Sequence, residues 1–377
     1  MIAVTHYDCL TDYLEAVTTR SHERCAAIVG GEQRAAAIAA MSRGRRPLAH
    51  PLAPLYLAVR AHGIAISDDA VTLGAGYYLL QHSLHIIDNI QDGEACPALD
   101  GSIGVNVGMT LFLHAIDCMW SGEQRLRRDG CGDIRDALLR SCTRMAAGQH
   151  RDLCGRHQIH EPDEALALAT EKAAITSLLY ELVAALVAAP GARHSEYEAI
   201  GTELAMVTQL VDDLTELFEP GASSDLRTGT YGVPLNTFLS RCSPLERDSW
   251  RARISAEREA VRDELCPALF ANGTMALLAQ RIERARVRIH DHLRALPCGG
   301  PYLAMLTAWL DDLIGFLYLP PRLSGSVTLA DADFRPLSPG DAELARLLVA
   351  AGDATAARYA RPRPSAPAVD DSPRERQ

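Results

Sequence analysis

HIIDNIQDGE at 85–94 and QLVDDLTE at 209–216 decide how this chain is read. Each lies inside an otherwise apolar run with helical spacing. In each, two carboxylates stand four residues apart: Asp88 with Asp92, and Asp212 with Glu216. That spacing puts both side chains on one helix face, one turn apart. Like charges so placed weaken a helix, and hard divalent cations with oxygen ligands are the natural compensator. Two such helices facing each other would form a multi-metal cup able to hold a phosphorylated substrate.

Outward from these clusters the pattern is helical throughout. Proline is absent from 98–161, 163–189 and 191–219, which leaves long windows for helices. Apolar residues recur there at three- and four-residue spacing, as in LLRSCTRMAAGQHRDL (138–153) and ITSLLYELVAALVAA (175–189). Period-two, β-branched stretches are nearly missing. The breaks are short: GEACPALDGSIG (93–104), GRHQIHEPD (155–163), APGARHSE (189–196) and EPGASSDLRTGTYGVP (219–234). The pattern predicts an all-α bundle of antiparallel helices around one core, spanning 1–318. A loop with one short helix, DAELARLLVAAG, is expected within 319–356, and a Pro-, Ser- and charge-rich disordered tail over 357–377.

Composition narrows the function. The chain has 377 residues, 48% hydrophobic and 23% charged, with a formal charge of -11, which argues against nucleic acid as a partner. The same charge works against an anionic substrate. A carboxylate 4 Å from a phosphate oxygen costs roughly 4 kcal/mol at an effective dielectric near 20, so bound cations are expected to be obligatory. The ten cysteines include no CxxC pair, and Cys154, His157 and His160 fall short of a four-ligand zinc set. The N-terminus lacks a basic-then-apolar leader, and no stretch approaches the roughly 18–20 uncharged apolar residues of a membrane span. A cytoplasmic protein with reduced cysteines and no stable membrane insertion is the expectation.

Five motifs in order along 43–235 give the chain a family resemblance. RGRRPL (43–48) is similar to a GKRxRP segment, and DNIQD (88–92) resembles a first aspartate-rich motif, DDxxD. AGQHRDL (147–153) is similar to GQxxDL, and TEKAAITSLL (170–179) to a helix carrying a Lys-Thr pair. QLVDDLTE with SDLRTGTYGVPL (224–235) resembles the second aspartate-rich motif and its DLxxGKxTLP sequel. Together they resemble the trans-isoprenyl diphosphate synthases, the polyprenyl synthetase family. The resemblance implies an isoprenoid-synthase bundle around a central metal and diphosphate cavity, three Mg2+ ions, an allylic isoprenyl diphosphate substrate and a homodimer. Asp88, Asp92, Asp212 and Glu216 would ligate metal. Asp88, Asp92, Asp212 and Lys172 would carry catalysis, with Lys172 also on the diphosphate. Arg43, Arg46 and Gln81 would hold isopentenyl diphosphate. Gln149, which shares a face with Asp152, and Gln209, which shares one with Asp212, are further candidate substrate contacts.

The departures from the family pattern carry information of their own. The Arg-Arg pair that follows the first motif is Pro97 and Ala98 here, the second Asp of DDxxD is Asn89, and the lysine of DLxxGK is Thr230. Arg227 is a candidate replacement. Each charge-assisted phosphate contact is worth about 1.5–3 kcal/mol, so these losses would weaken binding of two diphosphates and favour an enzyme that binds one. The implied reaction is prenyl transfer to isopentenyl diphosphate or to an aromatic, indole-like group, as in bacterial pheromone-type prenyltransferases. Alternatives are a terpene cyclase acting on farnesyl or geranylgeranyl diphosphate, or a weakened regulatory subunit of a prenyl diphosphate synthase. Ser83 and Leu84 before the first motif, with Tyr77 and Tyr78 further up, fit a chain of about fifteen to twenty carbons at a 1.5 Å rise per residue.

Overall fold

A computed structural model of the protein describes residues 7–28, 31–41, 50–93, 101–126, 134–187, 191–218 and 224–315. Arg43, Arg46, Pro97, Ala98, the 319–356 extension and the 357–377 tail lie outside the described residues. Among the described residues the chain is helical, with no strand.

Helices α1 (Leu10–Ala26), α2 (Gly31–Met41) and α3 (Ala53–Ala61) lead into the long α4 (Asp68–Gln91), which carries the first acidic motif at its end. α4 starts where the sequence supplies a cap. Ser67 accepts from the Ala70 amide at 3.2 Å, and Asp68 and Asp69 sit in the first turn, where the helix dipole favours negative charge. α5 (Gly101–Leu126) returns against it. Glycines let the two backbones approach closely: a Cβ at Gly108 would meet the Ile87 side chain, and one at Gly76 would meet Met119. Ser83 turns toward this seam and donates to the Gly108 carbonyl at 2.8 Å.

α6 (Ile134–Cys154), α7 (Pro162–Lys172) and α8 (Ala174–Leu186) follow, then α9 (Gly191–Phe218) with the second acidic motif. TEKAAITSLL, similar to a single helix in sequence, is broken at Ala173 between α7 and α8. Local propensity does not mark this break. It coincides with the close approach of α6, where a Cβ at Gly148 would lie 2.8 Å from the Lys172 amide nitrogen. α10 (Ser224–Thr228), α11 (Val233–Arg241), α12 (Pro244–Glu257), α13 (Arg262–Ala271), α14 (Thr274–Ala295) and α15 (Gly300–Gly315) complete the bundle. The main core runs through α1, α3, α4, α5, α8, α9, α14 and α15, and a smaller one lies beneath α10 to α13 around Phe238, Leu239 and Leu265.

α5 differs from the expectation in one respect: by length and composition it is apolar enough to cross a membrane. Its inner residues Val107, Leu111, Ala115 and Met119 are buried in the core, while Ile103, Val105, Met109, Leu113 and Trp120 are exposed on its outer side.

Candidate active site

Helices α6, α7 and α9 and the connection into α11 meet at a small solvent-open recess. Asp152, Lys172, Gln209, Asp213 and the segment 230–233 line it, over an apolar floor of Ala165, Leu168 and Ala169. Lys172 is the hub. Its Nζ donates to Asp152 Oδ2 at 2.8 Å, in an interior where both side chains are largely screened from solvent. The same ammonium acts on both acidic motifs, because it lowers the carboxyls of Asp92 and Asp213 against the burial that raises them. The two clusters, far apart in sequence, therefore share one electrostatic site.

Asp92 is the C-cap residue of α4 rather than an interior one. A carboxylate there faces the negative end of the helix dipole. Burial pushes Asp92 up, and Asp152 adds to this; Lys172 and Arg156 offset part of it. Arg156 Nη2 donates to Asp92 Oδ1 at 3.0 Å and to the Gln91 carbonyl at 3.0 Å.

On α9 the adjacent aspartates take different places. Asp213 is buried and points into the recess, where Gln209 Nε2 donates to Oδ1 at 2.8 Å and the Val233 amide to Oδ2 at 2.9 Å. Gly232 precedes α11 and has no side chain with which to cap it, so Asp213 caps that helix from across the recess. Burial pushes its carboxyl up, partly offset by Gln209, Lys172 and Val233. Asp212 has an exposed surface but stands close against its neighbours. The surrounding protein, Asp213 and Glu216 together push it up to about 7.

Glu216 stands half-buried on α9, one turn past Asp212. Asp88 stands half-buried one turn before Asp92, and Asn89 pairs with His85 at 3.4 Å instead of standing as a third carboxylate. Gln81 Nε2 donates to the Tyr77 hydroxyl at 3.4 Å. Gln149 carries a buried Nε2 without a hydrogen-bond partner among the described residues. Arg227 is exposed on α10 and does not line the recess. Asp213 and Arg156 lie outside the set of residues expected from sequence. Asp213 was legible as a residue four past Gln209, on its helix face; Arg156 had no helical register to reveal it.

Among the described residues no three acidic, histidine or cysteine side chains are gathered into a ready-made metal cage. The donor set of Asp88, Asp92, Asp212 and Glu216 is nevertheless all hard oxygen, and the mutual repulsion felt by Asp212 is of the kind a cation relieves. Mg2+ suits such a set, because it keeps several waters and is bound by one or two carboxylates together with substrate phosphates.

The polyprenyl synthetase profile matches residues 55–269. No curated protein sequence matches the chain. Among solved structures it resembles a decaprenyl diphosphate synthase from Rhodobacter capsulatus at TM-score 0.71 and 19% identity, over 82% of this chain and 98% of that one. A geranylgeranyl pyrophosphate synthetase from Pyrococcus horikoshii gives 0.69 and 14%, over 81% and 97% of the two chains. A Caulobacter crescentus polyprenyl synthase, complexed with calcium and isoprenyl diphosphate, gives 0.67 and 20%, over 81% and 94%. At these identities the likeness is one of fold.

Proposed function

The chain belongs to the polyprenyl synthetase family of prenyltransferases, and from that premise we propose a magnesium-dependent enzyme that takes an allylic isoprenyl diphosphate. It transfers the prenyl chain to isopentenyl diphosphate or to an aromatic, indole-like acceptor and releases pyrophosphate. The observation that carries this reading is the placing of Lys172, bonded to Asp152 at 2.8 Å, in one recess with Asp213 of the second acidic motif, where its charge also acts on Asp92 of the first.

Asp88 and Asp92 on α4, with Asp212 and Glu216 on α9, would hold three Mg2+ ions. When bound, Mg2+ neutralises the leaving diphosphate so that its C–O bond can ionise. Lys172 is already oriented by Asp152 and donates to a diphosphate oxygen. Gln209 and the Val233 amide hold Asp213 in place, so the charge beside Lys172 does not wander. Ala165, Leu168 and Ala169 offer the allylic chain an apolar side of the recess. The outer face of α5 supports a homodimer, since five large apolar side chains are exposed along it.

Product analysis by mass spectrometry tests the reaction. Purified protein with Mg2+ is given geranyl, farnesyl or geranylgeranyl diphosphate, with and without isopentenyl diphosphate or an indole. Acceptor-dependent products and pyrophosphate release are expected. A hydrocarbon or alcohol formed from one allylic substrate alone would replace this reading with that of a cyclase.

A further inference from the structure

Two of the phosphate-gripping cations expected after the first acidic motif are Pro97 and Ala98 in this chain. Asp152 and Asp213 stand with Lys172 in the recess and Asp92 lies within its field, and the structure brings one more cation to Asp92. Arg156 stands in the loop between α6 and α7, four residues after the Asp152 that orients Lys172. Its side chain is 29% exposed, and one nitrogen, Nη2, makes both of its contacts, to Asp92 Oδ1 and to the Gln91 carbonyl. Nε and Nη1 take no protein partner among the described residues. A planar guanidinium with free donors matches phosphate geometry and is suited to a two-point grip.

The loop that carries Arg156 is fastened at several points. The His157 amide donates to the Gly229 carbonyl at 2.8 Å, and Arg251 Nη2 donates to the His157 carbonyl at 3.3 Å. The His160 amide donates to Asn236 Oδ1 at 2.7 Å. His157 has φ of 65° and Gly229 φ of 77°, and a Cβ on Gly229 would run into the His157 imidazole. Arg156 is thus held between the end of α4 and the segment that follows the second acidic motif.

We propose that Arg156 is a diphosphate-binding residue of this enzyme, supplying from the α6–α7 loop a cationic grip that the segment after the first acidic motif lacks. The inference rests on the allylic-diphosphate reading above. In it, Asp92 exchanges its contact with Arg156 for a cation, and the guanidinium turns its donors to the phosphate oxygens. Both partners then keep opposite charge beside them.

The competing role for Arg156 is that of a clamp on the last carbonyls of α4, and the test separates the two. Calorimetric binding of magnesium pyrophosphate is measured for the wild type, Arg156→Gln, Arg156→Lys and Gly229→Ala, with melting temperatures taken in parallel. Arg156→Gln is expected to weaken pyrophosphate binding on the order of ten- to a hundredfold, the value of one charge-assisted contact. Arg156→Lys should keep part of the affinity, and Gly229→Ala, which displaces the loop, should also weaken it. For the allylic substrate, Arg156→Lys should raise KM more than it lowers kcat. Unchanged pyrophosphate affinity in Arg156→Gln, with only a lower melting temperature, would overturn the proposal and leave the clamp. A wild type that does not bind magnesium pyrophosphate would overturn the diphosphate reading itself.

Discussion

Lys172 serves two purposes, and substitution can separate them. It is a hydrogen-bond donor to the diphosphate in the proposed reaction, and it also keeps Asp152, Asp92 and Asp213 compensated. Lys172→Met should therefore weaken allylic-diphosphate binding by roughly ten- to a hundredfold and lower the melting temperature as well. Adding Asp152→Asn should restore most of the stability and none of the binding, as read by calorimetry and thermal melts on the two variants. Asp212 gives a prediction of the opposite sign to that of most acidic residues. Its folded value of about 7 lies above the roughly 3.9 of an unfolded chain. Between those values the folded state binds the extra proton, so this group makes stability fall as pH rises from about 4 to about 7. With EDTA present, Asp212→Asn should melt above the wild type at about pH 8 and match it near pH 4; a wild type that melts higher at about pH 8 would contradict the assignment. At this scale helix register was legible in the spacing alone: Asp88 stands one turn before the C-cap Asp92, and Asp212 feels Glu216 one turn on. Arg156 was not legible, because its position depends on a non-glycine residue in the left-handed region, His157, which no periodicity encodes.

Among the elements, the long helices were readable because proline-free, apolar-periodic windows leave few alternatives. The expected breaks at 155–163 and 219–234 are present, the latter with the short α10 inside it, while α9 already begins at Gly191 within the expected break at 189–196. The break at Ala173 was not readable, since it lies where α6 comes close at Gly148 and no residue of the broken segment marks it. That contact yields a prediction. Gly148→Ala puts a Cβ 2.8 Å from the Lys172 amide nitrogen, against backbone that cannot rotate away. It should cost about 1–3 kcal/mol of stability, as overpacking does. It should also lower turnover by displacing Lys172, although residue 148 contacts no substrate. Chemical denaturation and steady-state rates on the one variant check both.

For the whole molecule, the candidate site is assembled from Asp92, Asp152, Lys172 and Asp213, which lie on four different helices or their ends. A ligand that bridges these segments binds only the folded chain, so magnesium pyrophosphate at a hundred times its Kd should add about 2.7 kcal/mol of stability. Scanning calorimetry with and without it provides the measurement, and no shift would show that the parts do not act together. Leu113→Glu, on the outer face of α5, should leave this response intact and shift the molecular mass seen by light scattering to that of a monomer. That same face also provides an optical readout. Trp120 is exposed on it, whereas Trp250 packs edge-on against Phe238 and Trp309 is partly covered by the core. Dilution that separates two copies would return Trp120 to water and move the emission of the chain to longer wavelength. Trp120 would thus serve as a built-in fluorescent gauge of the proposed dimer, and no dye is needed to read it.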